Sequence, residues 1–256
     1  MSRLFPDRVL LELAPASITL ARLRGPLHRQ RMQERSLACD PAYGNEPWQG
    51  AIAALKSLEF KEPCKVTLVL SSQFVRYAVV PWSGALATAA EEDAYLRHYF
   101  VKIHGERAKT WVLRASEGAA GAARLASAID AALLEEIRNS FPRGGNARLS
   151  SVQPQLMSRF NQHRKSVPDG GAWLVIAEPE RACVALHAGG GWRSVQSGKG
   201  PWLDLLERER FRVHADDGEL PNVVLITGAP APSPQGAWQF RELGEVAGHH
   251  RASRRA

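Results

Sequence analysis

The sequence has few cysteines and no long apolar run. Its three cysteines, Cys39, Cys64 and Cys183, are odd in number, far apart and without the spacing of a metal site. We therefore expect buried thiols in a reducing compartment and no disulfide framework. No segment reaches the roughly 18 apolar residues that a membrane-spanning helix needs, so none is predicted.

The N-terminal residues also lack the apolar core of a signal peptide, because Arg3, Asp7, Arg8 and Glu12 interrupt it. We expect a cytoplasmic protein that is peripheral at the inner membrane only through a partner. The chain does have an ordinary globular composition, with 45% hydrophobic residues, and a formal net charge of +7. Part of this charge lies in residues 246–256, which are predicted to form a disordered basic tail because they offer little apolar surface.

Two apolar, β-rich runs in residues 8–24 are separated only by Ala14-Pro15-Ala16, which is the pattern of a β-hairpin. A polar edge strand is predicted at residues 29–38. Apolar positions then recur every three or four residues and predict a helix near residues 47–58. Residues 66–70 and 74–80 predict two further strands.

A capping-box pattern, Thr88 followed by Glu91, predicts the start of a helix that Gly105 ends. The buried stripe of this helix is predicted to be Leu96, Tyr99, Phe100 and Ile103. Short strands are predicted at residues 109–114, 125–129 and 149–152, with helices beginning near Leu133 and after Pro154.

The second half repeats the opening pattern. Residues 172–176 and 181–187 predict another hairpin, residues 192–196 a third strand, and residues 222–228 a buried strand that ends at a glycine. A helix is predicted from Pro201. A β-hairpin therefore opens each half of the chain, without detectable repetition of the sequence.

This order of hairpins and helices resembles the actin-like ATPases. More narrowly, residues 9–23, 68–81, 91–95 and 223–228 are similar to two groups of proteins: the cytoplasmic actin-like proteins of type IV pilus assembly (the PilM class) and the cytoplasmic domain of the type II secretion L protein. The resemblance covers residues 8–243.

The resemblance implies an α/β, actin-like (ribonuclease H-like) fold with two lobes and mixed sheets. Residues 1–165 would form the first lobe, with an inserted α+β subdomain at about residues 65–148, and residues 166–245 a shortened second lobe. It also implies two partners. One is an inner-membrane assembly protein whose short cytoplasmic segment docks in a groove between subdomains, and the other is an assembly ATPase.

The resemblance also identifies where a nucleotide would bind. In nucleotide-binding relatives, each hairpin carries an aspartate that positions the metal and a glycine that lets backbone N–H groups approach the phosphates. Here the first pair is Glu12 and Ala14, the second hairpin has Glu178 before Pro179, and Gly228 is what remains of a glycine pair expected near adenosine. These departures predict a pseudo-ATPase with no catalytic residue, no metal and no cofactor, ATP being disfavoured.

Basic and aromatic side chains at one strand end and on the following helix are candidates for contacting a partner. They are Arg76, Tyr77, Trp82, Arg97 and Lys102. Residues 198–200 resemble a phosphate loop only superficially, since the other residues of that motif are missing.

The leading hypothesis is therefore a non-catalytic actin-like scaffold. One alternative is a weak ATP-binding actin-like ATPase that uses Glu12. A less favoured alternative is a ribonuclease-H-like protein that binds nucleic acid, although the acidic cluster of a two-metal nuclease is missing and no specific nucleic acid is expected. The sequence leaves the oligomeric state open.

Overall fold

A computed structural model describes residues 7–24, 30–217, 220–233 and 236–244. The predicted basic tail, residues 246–256, lies outside these described residues. In chain order, the elements are β1 (Asp7–Ala14), β2 (Ser17–Arg24), β3 (Gln30–Ala38), α1 (Gln49–Lys56), β4 (Cys64–Leu70), β5 (Val75–Val80), α2 (Ala89–His104), β6 (Trp111–Ala115), β7 (Arg124–Asp130), α3 (Ala131–Asn139), β8 (Ala147–Pro154), α4 (Gln155–His163), β9 (Ala172–Glu178), β10 (Arg181–Ala188), β11 (Gly191–Lys199), α5 (Trp202–Asp217), β12 (Val223–Thr227) and β13 (Gln239–Glu242), with short 3-10 helices at Glu106–Thr110 and Arg164–Ser166.

The chain divides into two compact units. The first comprises Met1–Ser71, Leu133–Ser158 and Gly244–Ala256, and the second comprises Ser72–Ala132 and Arg159–Leu243. This division groups the middle of the chain with the second hairpin, whereas the predicted lobes group it with the first. The predicted lobe boundaries stay a prediction.

The first unit is built on a five-stranded sheet with the order β3-β2-β1-β4-β8. Strands β1, β2 and β3 are antiparallel, and β4 and β8 continue the sheet parallel to β1. Leu11, Leu13 and Ile18 are at most 1% exposed, because they point from the hairpin into the core. The predicted hairpin and the polar edge strand β3 are confirmed.

Two helices of the first unit turn apolar faces inward. Ile52 and Leu55 of α1 are buried, as are Leu133 and Ile137 of α3. On the exposed side the Lys56 ammonium lies 2.5 Å from the carboxylate of Glu136, which links the two helices.

The second unit contains a three-stranded antiparallel sheet, β5-β7-β6, covered by α2. Thr88 and Glu91 form the predicted capping box: the Thr88 hydroxyl accepts the Glu91 N–H, and the Glu91 carboxylate accepts the Thr88 N–H. Leu96 and Phe100 are buried against the sheet, as predicted. Ile103 was expected in the same stripe but is 53% exposed.

The second unit also contains a five-stranded sheet with the order β11-β10-β9-β12-β13. Three antiparallel strands are again followed by two parallel ones, so this sheet has the topology of the first. Its core lies under α5 and includes Trp173, Leu186, Leu206 and Ile226. The structure thus shows a repeat that the sequence only suggested through its two hairpins.

Besides Ile103, two strands differ from the sequence prediction: one begins later than predicted, and one was not predicted. Lys109 and Thr110 belong to a 3-10 helix, and the strand predicted from residue 109 begins at Trp111. Strand β13 was not predicted, because its four residues, Gln239–Glu242, are mostly polar and exposed. It forms because β12 offers a parallel edge for pairing.

Candidate functional site

The first hairpin turn is the segment that would bind phosphate in a nucleotide-binding protein of the class that the sequence resembles. Ala14 pairs with Ser17, so Pro15 and Ala16 form a two-residue turn. Neither turn residue has a positive φ. Pro15 has no N–H, and proline is favoured at the first central position of turns that need no positive φ there. The turn therefore lacks both a glycine and one backbone donor.

Glu12 lies two residues before the end of β1. It pairs with Thr19 on β2 and with Val69 on β4, and it is half-buried. The glutamate has the charge that the aspartate of relatives uses, and a side chain longer by one methylene.

The second hairpin turn has a different backbone. Glu178 pairs with Arg181, which leaves Pro179 and Glu180 as the two turn residues. Glu180 has a φ of 62°, in the left-handed region that a type II turn requires and that normally favours glycine or asparagine. The Glu180 carbonyl accepts the Gly200 N–H at 3.0 Å, which holds the turn in place.

Gly228 has a structural reason to be glycine. Its φ is 83°, and a Cβ at this position would overlap the carbonyl oxygen of Ala177. The end of β12 thus approaches the end of β9 more closely than a side chain would allow. This close approach accounts for the glycine without a nucleotide.

The five predicted partner-contacting residues are distributed over β5, the segment after it and α2. Arg76 is exposed, and its Nη1 donates to the carbonyl of Gln73 at 3.2 Å. Burial of part of its side chain, with Arg181 and Arg107 nearby, lowers the pKa of Arg76.

The remaining candidates occupy separate places within the second unit. Tyr77 is half-buried on β5, whereas Trp82 follows that strand and is 48% exposed. On α2, the Nη1 of Arg97 donates to the carbonyl of Lys109 at 3.4 Å, and Lys102 is exposed.

A groove of about 910 Å³ lies in the second unit, and we call it the β5–β11 groove. It is bordered by β5 and α2 on one side and by β11 on the other, and among the predicted candidates Tyr77 is the one that lines it. Aromatic and aliphatic side chains line much of it, including Tyr99, Ile103 and Trp192. The exposed side chain of Ile103 therefore forms part of the groove wall.

A buried ionic network positions one basic residue of the groove. The Glu209 side chain is 4% exposed, and both of its carboxylate oxygens accept from Arg212, at 2.9 Å from Nε and 2.5 Å from Nη2. Ser194, on β11, donates its hydroxyl to the same carboxylate. Because paired donors orient a guanidinium, Glu209 and Ser194 fix the direction in which the 54% exposed Arg212 side chain points at the groove.

His104 brings an imidazole to the same groove. Its ring stacks on Phe100, with centroids 5.8 Å apart, and meets the edge of Trp111 at 5.2 Å. Burial, followed by the charges of Arg76 and Arg107, lowers the pKa of His104, so the neutral ring is favoured. Sequence patterns did not indicate this groove, since residues far apart in the chain form it.

Within the described part of the chain, no group of three or more His, Cys, Asp or Glu side chains is placed to hold a metal ion. In the same residues no helix is both long and apolar enough to cross a bilayer.

Comparisons with known proteins identify the fold. No protein-family model and no curated protein sequence matches the chain. The cytoplasmic domain of EpsL, an inner membrane component of the type II secretion system of Vibrio cholerae, superposes with a TM-score of 0.59 at 11% identity, covering 94% of this chain and 91% of that one.

Two further solved structures agree. A chain of the PilM–PilN type IV pilus biogenesis complex gives a TM-score of 0.62 at 14% identity, covering 86% of this chain and 80% of that chain. A Bacteroides thetaiotaomicron protein of unknown function with an actin-like ATPase fold gives 0.54 at 12%, covering 88% and 82%. The predicted α/β, actin-like fold and its likeness to the pilus and secretion proteins are confirmed.

Proposed function

We propose that the chain is a non-catalytic, actin-like scaffold of a pilus or secretion assembly. It docks a short cytoplasmic segment of an inner-membrane partner and is thereby held at the cytoplasmic face of the membrane. A further proposed partner is an assembly ATPase. The solved structures with this fold include one component of an inner-membrane secretion system and one chain of a complex that pairs PilM with PilN.

The observation that carries the docking proposal is the β5–β11 groove. At about 910 Å³ it is large enough for several side chains of an extended peptide. Tyr77 and Tyr99, both half-buried, supply the kind of aromatic surface that carries much of the binding energy in protein interfaces, and Trp192, which is 6% exposed, forms the floor beneath them. Ile103 is 53% exposed and would be desolvated by an occupant.

The two hairpin turns support a function without catalysis. Each turn contains a proline, Pro15 or Pro179, and so lacks one of the backbone N–H groups that the resemblance assigns to phosphate binding. A missing charge-assisted hydrogen bond costs about 1.5–3 kcal/mol of binding free energy. Two deficient turns therefore disfavour tight nucleotide binding.

Docking is tested by calorimetric titration with synthetic peptides that copy the cytoplasmic segments of inner-membrane proteins encoded beside this chain. We expect one of them to bind, and Ile103→Glu to weaken that binding by at least about tenfold, because a carboxylate would lie against the apolar wall. The matched control is Leu37→Glu, which changes an aliphatic residue 38% exposed on β3. Equal binding by wild type and Ile103→Glu would contradict docking in this groove.

Catalysis is tested separately by titration with Mg-ATP. The scaffold proposal predicts no heat of binding and no hydrolysis. The alternative, a weak ATPase, is favoured by the acidic side chain that Glu12 keeps on β1. It would be supported by micromolar binding of Mg-ATP that Glu12→Gln abolishes. The nucleic-acid alternative would require salt-sensitive binding of DNA.

A further inference from the structure

A second cavity, of about 700 Å³, lies in the second unit at the opposite end of its five-stranded sheet from the Pro179 turn. Strands β9 and β12 run towards Pro179 and Gly228, respectively. The cavity is instead lined by Asn222, which precedes β12, and by Gly189, in the turn between β10 and β11. It is therefore distinct from the places where the resemblance expects a nucleotide.

Basic side chains from two elements converge on this cavity. Arg193 comes from β11, and Arg210 and His214 come from α5. The two α5 residues are four positions apart and so lie on one face of the helix. None of the described residues that line the cavity is an aspartate or glutamate. An anion entering the cavity would thus meet basic groups on its walls.

Neighbouring side chains orient the Arg210 guanidinium so that it can bind an anion. Its guanidinium carbon lies 4.5 Å from the centre of the Trp238 ring. Trp238 is itself 5% exposed, and its Nε1 donates to the Glu207 carboxylate at 2.5 Å. Stacking occupies the flat face of a guanidinium and leaves its N–H edge for two parallel hydrogen bonds, the geometry that suits a phosphate.

Apolar residues form the rest of the wall, among them Leu186, Leu220 and Pro221. Two hydrogen bonds tie the loops that carry them: Trp173 Nε1 donates to the Pro221 carbonyl, and Asn222 Nδ2 donates to the Ala237 carbonyl, both at 3.0 Å. The cavity therefore combines a fixed apolar side with a basic side.

We propose that this cavity binds a phosphate-bearing amphiphile, with the phosphate on Arg193 and Arg210 and the apolar part against Leu186 and Pro221. The phosphate belongs either to a soluble organic phosphate or to the headgroup of an anionic lipid. This site goes beyond the proposed docking function: Arg193 also lines the β5–β11 groove, whereas Arg210, Leu186 and Pro221 line this cavity and not the groove. The variants that test the cavity are therefore made at Arg210 and Gly170, which lie outside the groove lining.

The proposal is tested by calorimetry on the full chain with three probes. These are 1-naphthyl phosphate, monomeric dihexanoylphosphatidylglycerol, and dihexanoylphosphatidylcholine as the zwitterionic control. Tighter binding of naphthyl phosphate identifies a soluble ligand, and tighter binding of phosphatidylglycerol identifies a lipid headgroup; both support the site. Failure of both anionic probes to bind, or equal binding of the phosphatidylcholine, overturns it.

Variants locate the binding. Arg210→Gln is expected to reduce the affinity for the tighter-binding anionic probe by at least about tenfold, because a charge-assisted pair of hydrogen bonds is lost. The matched control is Arg208→Gln: it removes the same charge two residues away on α5, where Arg208 is exposed and its Nε donates to the Asp204 carbonyl. An equal loss in both variants would overturn the proposal, because it would reflect overall charge.

A third variant leaves every basic residue in place. Gly170 lines the cavity, and a Cβ there meets no atom within 4 Å, so Gly170→Asp is expected to fold normally. Its carboxylate would compete with the phosphate and weaken binding by at least about tenfold. Unchanged binding by a folded Gly170→Asp, with folding checked by thermal unfolding, would contradict binding in this cavity.

Discussion

The two five-stranded sheets have one topology but differ at their turns. In the first sheet the turn is Pro15-Ala16 without a positive φ, and in the second it is Pro179-Glu180 with Glu180 at 62°. When the two hairpins are aligned on these turns, Glu12 corresponds to Ile176, which is 1% exposed. The second sheet thus carries no acid at the place where the first keeps one.

The two sheets also differ at the residue that follows the first parallel strand. In the first sheet it is Ser71, whose N–H donates to the Leu13 carbonyl at 2.9 Å. In the second it is Gly228, which packs directly on Ala177. Two sheets can therefore share one strand order and still differ at their strand ends. These ends are where ligands bind in open α/β sheets.

The largest expected effect concerns the core of the second sheet. Trp173→Ala should lower the free energy of unfolding by about 3–5 kcal/mol, because it empties a fully buried site. Urea unfolding measures this change. Trp173→Phe retains most of the volume but loses the hydrogen bond to Pro221, so it should cost clearly less. Equal losses would show that the hydrogen bond, and not packing, dominates.

The next effect compares the two strand ends. Gly228→Ala should cost at least about 1–3 kcal/mol from backbone strain, with the overlap on Ala177 added. At the corresponding place in the first sheet, Ser71→Ala removes only a hydroxyl and should cost about 1 kcal/mol. Thermal unfolding of both variants decides the order. If Gly228→Ala were the milder change, the close approach would not be what requires a glycine.

A smaller effect should have opposite signs in the two turns. Glu180→Gly should raise the free energy of unfolding by up to about 1 kcal/mol, because glycine adopts a positive φ without strain. Ala16→Gly should lower it by about 0.5–1 kcal/mol, because the first turn gains nothing from glycine and the unfolded chain gains entropy. If both variants changed the free energy of unfolding in the same direction, the two turns would not differ in their need for glycine.

The smallest effect at neutral pH concerns two cysteines, one in each sheet: Cys64 on β4 and Cys183 on β10. Burial raises the pKa of both thiols, and that of Cys183 to about 12. Iodoacetamide at pH 8 should therefore modify Cys183 more slowly than Cys64 in the native protein, which mass spectrometry can follow. Faster reaction at Cys183 would show that β10 opens more readily than β4.

The same pKa shift predicts a dependence of stability on pH. Burial raises the folded pKa of Cys183 above the ordinary thiol value of about 9.0, so its contribution to stability is complete below pH 9 and is lost as the pH rises towards about 12. The loss should be at most about 1.4 kcal/mol per pH unit. Urea unfolding between pH 8 and 11 measures it, and Cys183→Ala should make the dependence shallower.

Local signals were sufficient for much of the fold. The capping box of Thr88 and Glu91 and the Ala14-Pro15-Ala16 turn act over a few residues, so their patterns appear directly in the sequence. Ile103 shows where such reasoning fails: its spacing matches the helix stripe, but the last turn of α2 leaves it 53% exposed on the groove. Periodicity identifies a face and does not say how far the neighbouring sheet extends along it.

The candidate site was less predictable than the fold. Arg212 is oriented by hydrogen bonds with Glu209 on α5 and with Ser194 on β11. No sequence motif predicts such a network, because its residues come from different elements. Strand β13 owes its existence to an edge supplied by β12, and its own four residues have no β pattern. Sites and edge strands of this kind depend on tertiary pairing, which one sequence does not reveal.

The insertion of residues 71–146 between β4 and β8 has a consequence for folding kinetics. Pairing of β8 with β4 closes a loop of residues 71–146, whereas pairing of β12 with β9 closes the shorter loop of residues 179–222. Contacts of longer sequence separation form more slowly, because loop closure costs entropy first. We expect pulsed hydrogen exchange during refolding to protect amides of β9 and β10 before those of β8; earlier protection of β8 would contradict this order.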